Sequence, residues 1–278
     1  MIRSYLYIPA IKEKYFEKID SNSADAIIFD LEDSVSLENK EEAREILQKF
    51  FNQEKNVTKE IFIRINSEQI FSKDDIKLVK KNVSKIRGIF LPKINNCEEI
   101  EKIVKAIGDK SIEIIPLIET PTGVLNLEEI SKNKEVTTVA LGEVDLSYSL
   151  NINPNEGLKQ LIPLRLFVNL VLAAYEKMPP IGPVWTNIDD KKGLENHMDT
   201  IKSLGYSGAQ LIHPSQIDIT NKIFSYSDEE IKWAKSILKT NNELESNLGS
   251  FRDSNNEMVD EAVIKRAQKL IESIEDNN

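Results

Sequence analysis

Histidine and cysteine are nearly missing from this 278-residue chain, which has His197, His213 and the single Cys97. One thiol excludes an internal disulfide framework and any cysteine-rich zinc site, and it fits a reducing compartment. Two histidines leave little material for imidazole-based metal binding or for a histidine-activated nucleophile. Basic residues are in deficit, 36 Lys and Arg against 46 Asp and Glu, for a formal net charge of −10. That sign argues against generic binding to nucleic acid or to an anionic membrane. Long apolar runs are absent as well. The most apolar stretch, Leu164 to Ala174, is too short for a span and carries Arg165 and Asn169. The N-terminal MIRSYLYIPA ends its apolar run at Pro9 and has no signal-peptide pattern. A cytoplasmic protein without a membrane partner is expected.

What remains is an ordinary globular composition, 40% hydrophobic and 29% charged. Short β-rich apolar runs recur at Ser4–Ile8, Ala26–Leu31, Ile61–Ile65, Gly88–Leu91, Ile112–Ile118, Val136–Leu141, Ile181–Trp185 and Ala209–Ile212. Several are apolar on consecutive positions, as strands buried on both faces are in a parallel sheet covered by helices. Helical periods lie between them, at Lys12–Ile19, Leu37–Phe51, Lys73–Asn82, Glu98–Ile107, Leu127–Asn133, Leu164–Lys177 and Lys191–Leu204. Pro163 suits a first helical turn. About eight β/α units predict a (β/α)8 TIM barrel over residues 1–225, with an open doubly wound sheet as the structural alternative. Residues 226–278 break the alternation and read as a C-terminal helical extension. Ser227 and Glu230 form a capping box, Glu245–Asn256 is polar around Gly249, and Met258–Ile274 is amphipathic.

Barrel enzymes gather their chemistry at the C-terminal ends of the strands. Here the apolar runs terminate in Asp30, Glu32 and Asp33, then in Arg64 and Asn66, Lys93, Glu119, Glu143 and Asp145, and His213. Charges placed directly after buried strands are costly unless paired, hydrated or metal-bound. Glu119 and Asp145 make the best metal pair, since two carboxylates with open positions suit Mg2+. Arg64 is a planar donor fitted to grip a carboxylate by two hydrogen bonds. Asp30, Glu32 and Asp33 are placed to orient metal-bound water. Each has a plainer alternative, as a helix cap or a solvated loop. His213 reads as a histidine held by packing and a backbone hydrogen bond, His197 as a surface residue, and Cys97 as a small buried one.

The segments SYLYIPA, IIFDLEDSVSLENKEEAR, FIRIN, IFLPKI, PLIETPTGVLN, ALGEVDLS, GYSGAQLIHPSQI and NEMVDEAVIKRAQKL resemble the citrate lyase beta-chain family. That group includes the malyl-CoA and citramalyl-CoA lyases, within the phosphoenolpyruvate-binding TIM-barrel superfamily. The resemblance implies a homotrimer or hexamer performing reversible, Mg2+-dependent Claisen-type cleavage of a CoA or acyl-carrier-protein thioester to a 2-oxo acid. It implies Glu119 and Asp145 as metal ligands, and Arg64 with Glu119 and the adjoining Pro121 as substrate-binding residues. Glu32 and Asp33 fall in its acidic loop. Asp260 matches an acid–base residue carried by the C-terminal segment as a lid, generally into a neighbouring subunit. The chain departs from the family at Ala10, Gly182, Asn187, the Asn255-Asn256-Glu257 segment and Glu261. Three other readings stand beside this one: a metal-dependent aldolase acting on free 2-oxo acids, a thioester hydrolase or malate-synthase-like side activity at the same residues, and a non-catalytic acyl-CoA-binding or scaffold subunit.

Overall fold

The computed structural model describes residues 1–53, 57–152, 158–243, 250–253 and 256–275. It divides into two compact units, Ile2–Phe224 and Ser225–Asn278. Gly249, Asn255 and most of the polar stretch around them lie outside the described residues.

The first unit is a TIM barrel. Eight parallel strands close in chain order: β1 (Ser4–Pro9), β2 (Ala26–Asp30), β3 (Glu60–Arg64), β4 (Gly88–Leu91), β5 (Glu113–Ile118), β6 (Ala140–Leu141), β7 (Ile181–Gly182) and β8 (Gly208–Leu211). The helices are α1 (Lys40–Asn52), α2 (Gln69–Lys81), α3 (Cys97–Ile107), α4 (Pro121–Leu125), α5 (Leu127–Lys132), α6 (Glu143–Ser149), α7 (Ile162–Ala174), α8 (Lys191–Ser203) and α9 (Ile217–Phe224). The closed ring settles the open-sheet alternative.

Side-chain alternation along each strand sorts the apolar residues into two layers. Ile27, Phe29, Ile61 and Ile63 join the cluster beneath the helices. Tyr5, Ile28, Phe62, Phe90, Ile115 and Leu117 fill the barrel interior. Its floor is aromatic, with ring centroids 5.6 Å apart for Tyr5–Phe62, 6.0 Å for Tyr5–Phe90 and 5.7 Å for Phe62–Phe90. Two residues beyond Ile28, Phe62 and Leu117 the chain meets Asp30, Arg64 and Glu119, so the same parity that fills the barrel stacks these groups on top of it. The register sets Pro9, Asp30, Arg64 and Phe90 side by side across β1 to β4.

Several boundaries differ from expectation. Residues 13–18 form a 3-10 turn instead of an α-helix, with no side-chain cap at Lys12 to start one. The sixth strand narrows to two residues, paired with β5 through Leu117–Ala140 and Ile118–Leu141, while Val136 at the start of the expected run keeps only an isolated bridge to Ile114. Helix α9 was not foreseen, because its eight residues follow β8 almost at once.

In the second unit α10 (Asp228–Glu243) and α11 (Glu261–Glu275) share a core of Ala234, Ile237, Val259, Ala267 and Leu270. The capping box forms: the Ser227 N–H donates to Glu230 Oε2 at 2.8 Å, and the Glu230 N–H to Ser227 Oγ at 3.1 Å. Met258 and Val259 belong to a hairpin of β9 (Phe251–Arg252) and β10 (Met258–Val259), so the last helix starts three residues later than its apolar stripe suggested. Among the described residues no helix is long and apolar enough to cross a membrane.

Candidate active site

A cavity of about 410 Å3 opens at the C-terminal mouth of the barrel, lined by Tyr7, Asp30, Asp33, Arg64, Glu119, Gly142, Asp145 and Gln210 among others. A larger hollow, about 750 Å3, lies at the opposite end, where β3, β4 and β5 begin. The convergence of charge is at the smaller one.

Arg64 is the hub. Its Nε and Nη2 donate to Asp30 Oδ1 and Oδ2, both at 2.7 Å. Its Nη1 stands 3.2 Å from Glu32 Oε2 and 3.6 Å from Asp33 Oδ2. The guanidinium lies 4.8 Å from the centre of the Tyr7 ring, a cation–π contact. The two-bond fork expected to grip a substrate carboxylate is therefore already given to Asp30, its neighbour in register, and only the Nη edge remains. Burial alone would raise the Asp30 carboxyl, but Arg64, the Ser34 side chain and the Glu32 N–H hold it below its ordinary value. Tyr7 continues the network, donating its hydroxyl to Gln210 Oε1 at 2.8 Å. Gln210 Nε2 then bonds the carbonyls of Leu141 and Gly182 at 3.2 and 3.1 Å.

The acidic loop after β2 is held from below and from the side. Lys40, 5% exposed, donates its ammonium to the carbonyls of Leu31 and Glu32 at 2.8 and 2.6 Å. Lys93 bonds Glu32 Oε1 at 2.7 Å and lies 3.5 Å from Asp33. Lys93 has φ +56°, a left-handed conformation unusual outside glycine, and in it the Lys93 N–H donates to Glu119 Oε1 at 2.7 Å. Glu32 is buried, its Oε2 held by the ion pair with Arg64 and by no further hydrogen bond among the described residues, whereas Asp33 is exposed.

Glu119 is 3% exposed, and its carboxyl is pushed up to about 8 by burial, then by the charges of Glu32 and Asp145. Asp145, half-buried in the first turn of α6, has no hydrogen bond or ion pair among the described residues. Gly142 lets the two ligand candidates approach: a Cβ there would lie 2.5 Å from Glu119 Cβ and 2.6 Å from Oε2. Among the described residues the five carboxylates Asp30, Glu32, Asp33, Glu119 and Asp145 outnumber the cations near them, Arg64, Lys93 and the underlying Lys40. That excess, together with the raised Glu119, fits a divalent cation. No group of three or more His, Cys, Asp or Glu converges on one point among the described residues. The donor set is two carboxylates, which suits Mg2+ with its retained waters better than zinc.

Other expectations change. Glu143 does not join Asp145, because Arg165 of α7 takes both its oxygens at 2.6 and 2.7 Å with each side chain 2% exposed. Pro121 opens α4, is exposed, and is not among the residues lining the cavity. Asn66 serves Asp75, which accepts from both its backbone and side-chain nitrogens. Gly182 faces α8, where a Cβ would meet Ile201 at 2.9 Å, so an acidic side chain at this position would not enter the mouth. His213 is exposed, with Nδ1 accepting from the Ser215 N–H at 3.2 Å. His197 is buried, not on the surface, beside Trp185 at 5.2 Å between ring centres, and burial pushes it down to about 3. Cys97 is half-buried, not buried. Asp260 belongs to the second unit, where its Oδ1 accepts the Val263 N–H at 3.0 Å and caps α11. Tyr7, Lys40 and Gln210 escaped the sequence reading. A polar Gln210 inside the run Ala209–Ile212 was the available signal.

Residues 3–214 match the HpcH/HpaI aldolase/citrate lyase family. The chain is 30% identical over 84% of its length, and 80% of the relative's, to a (3S)-malyl-CoA thioesterase of Cereibacter sphaeroides. It is 28% identical over 97% of its length, and 92% of the relative's, to the citrate lyase subunit beta of Leuconostoc mesenteroides subsp. cremoris. A solved structure of CitE from Mycobacterium tuberculosis in complex with magnesium, acetoacetate and coenzyme A covers 97% of each chain with a TM-score of 0.78 at 23% identity. The strand-end carboxylates, the barrel that carries them and these matches agree: the chain belongs to the HpcH/HpaI aldolase/citrate lyase family, and is a carbon–carbon lyase.

Proposed function

We propose that this is a cytoplasmic, Mg2+-dependent lyase that cleaves, or forms by Claisen-type condensation, a hydroxyacyl thioester. The class is that of citryl-, malyl- or citramalyl-CoA or its acyl-carrier-protein counterpart, and the products are a 2-oxo acid and an acyl thioester. The observation that carries the reading is the pairing of buried Glu119 with unpartnered Asp145 at the barrel mouth, in a cavity with more carboxylates than cations. Magnesium in the CitE complex and the thioester names of the relatives support it.

Glu119 and Asp145 would hold Mg2+, which when bound supplies Lewis-acid polarisation of the substrate oxygens. Arg64 offers its Nη edge to the substrate carboxylate while Asp30 keeps the guanidinium plane fixed. Glu32, tied to Lys93, and Asp33 orient water at the cation. Cleavage breaks the bond between the hydroxyl-bearing carbon and the carbon next to the thioester. The hydroxyl gives up its proton to solvent and becomes the carbonyl of the 2-oxo acid, and the electron pair of the bond passes to the thioester fragment. Asp260 then gives the carbon next to the thioester a proton, and takes one from it in condensation. Asp260 does so as part of a lid, from a neighbouring copy in a homotrimer or hexamer.

The test is an Mg2+-dependent assay of malyl-, citramalyl- and citryl-CoA beside the free acids, quantifying the 2-oxo acid, the acyl-CoA and free CoA. The reading requires 2-oxo acid and acyl-CoA from a thioester, lost in Glu119→Ala. Cleavage of the free acids alone would replace it with an aldolase. Turnover of nothing, with no binding of Mg2+ or pyruvate, would leave a scaffold. Free CoA with intact malate would favour a second reading, thioester hydrolysis at the same site, which the 30% identity to a malyl-CoA thioesterase supports. Mixing Glu119→Ala with Asp260→Asn subunits restores activity only if Asp260 works across copies.

A further inference from the structure

We infer that Arg165 is a positioning residue for the cation site: by taking Glu143 it fixes the turn of α6 that presents Asp145, and withholds a third carboxylate from the ion. The inference rests on Glu119 and Asp145 being the ligands. Gly142, Glu143 and Asp145 lie within one short segment at the start of α6. Residues two apart on a helix point about 200° from one another, so a turn presenting Asp145 to the cavity directs Glu143 elsewhere. In the structure Glu143 finds both donors of the Arg165 fork, at 2.6 and 2.7 Å. Arg165 is itself 1% exposed, and its carbonyl accepts the Tyr206 hydroxyl at 3.2 Å. The other side of the turn is pinned by the close approach of Gly142 to Glu119.

A buried ion pair is often no more stabilising than apolar side chains of the same size. Stability therefore gives little reason for this one, whereas geometry gives a specific one. Glu143 is two residues from Asp145 and is among the residues that line the cavity. Released from Arg165, its carboxylate would compete for a position that Mg2+ needs for water or for substrate oxygens. Arg165 is not itself among the residues lining the cavity, and its fork to Glu143 is its link to the site.

The experiment is Mg2+ titration of the full chain by calorimetry, beside thermal unfolding. Arg165→Met alone strands a buried carboxylate and risks misfolding. Glu143→Met/Arg165→Met leaves no unpaired charge and keeps the volume. We expect it to unfold cooperatively, with Mg2+ affinity lowered about tenfold, as when supporting partners of metal ligands are removed. Arg165→Lys, which keeps the charge but loses the fork, should fall between it and the wild type. Wild-type Mg2+ affinity in the folded double variant, or in Arg165→Lys if the double variant does not fold, overturns the inference. A wild-type protein that takes up no Mg2+, or an Asp145→Ala variant that binds it fully, defeats the ligand reading instead.

Discussion

Removing protons from Glu119 should cost the metal-free protein stability and gain it magnesium. The carboxyl rises from 4.5 to about 8 in the folded chain, a preference for the neutral form of roughly 5 kcal/mol at 1.36 kcal/mol per pH unit. Between those two values the folded state holds more proton than the unfolded one. The stability that this group contributes is then complete below pH 4.5 and is lost as pH climbs through 8. His197 acts in the opposite sense, since it is pushed down to about 3 and its contribution is lost as pH falls from 6.5 towards 3. Comparing wild type with Glu119→Gln removes the histidine from the difference. Thermal unfolding from pH 5 to 9 without Mg2+ should show the wild type losing stability relative to Glu119→Gln, most steeply between about pH 5.5 and 7 and levelling off above 8. Added Mg2+ should reverse the loss. Binding must displace the proton, so affinity should fall about tenfold for each pH unit below 8, and roughly 0.9 proton should be released per ion at pH 7. Calorimetry in buffers of different ionisation enthalpy measures that release directly. Mg2+ binding at pH 6 as tight as at pH 8, with no proton released, would refute the assignment of the buried carboxyl as a ligand.

Three further outcomes follow from the geometry. Gly142→Ala places a methyl 2.6 Å from Glu119 Oε2, so about 1–3 kcal/mol of stability is lost to overpacking; calorimetry should find Mg2+ binding largely abolished in protein that circular dichroism shows to be folded. Lys40→Met removes the ammonium beneath the acidic loop and leaves the Leu31 carbonyl without that donor, at a cost of about 1–3 kcal/mol. Its melting temperature should drop by several degrees and its turnover by more than its substrate KM rises. Asp260→Asn should bind Mg2+ and pyruvate as the wild type does and lose turnover by at least about a hundredfold, the scale of a general acid–base contribution; unchanged turnover in a steady-state assay would remove Asp260 from the chemistry.

The strands could be read because burial on both faces leaves a local trace, consecutive apolar residues such as those of Ala26–Leu31 and Ile112–Ile118. Their terminal charges were visible for the same reason, as polar residues where the apolar run stops. His197 was misread from its acidic neighbours Glu195 and Asp199. The informative neighbours were Leu194 and Ile201, three and four residues away on the same helical face, and both are buried with it. Glu143 and Asp145 look alike in the sequence, and only Arg165, 22 residues on, tells them apart. Arg64 read as an open fork because nothing local showed that Asp30 would stand beside it in register.

While closure into a barrel was left to the tertiary structure, the sequence by itself determined the alternating order of strands and helices, the scarcity of soft metal ligands and the set of carboxylates at the strand ends. These follow from side-chain partition into water or core, which depends on residues a few positions apart. The tertiary structure decided which charge answers which: Arg64 to Asp30, Lys93 to Glu32, Arg165 to Glu143, with Asp145 left unpaired among the described residues. Closing the sheet brings together residues 22 to 61 positions apart. Coulomb energies in a buried layer depend on those distances, which no run of neighbouring residues encodes.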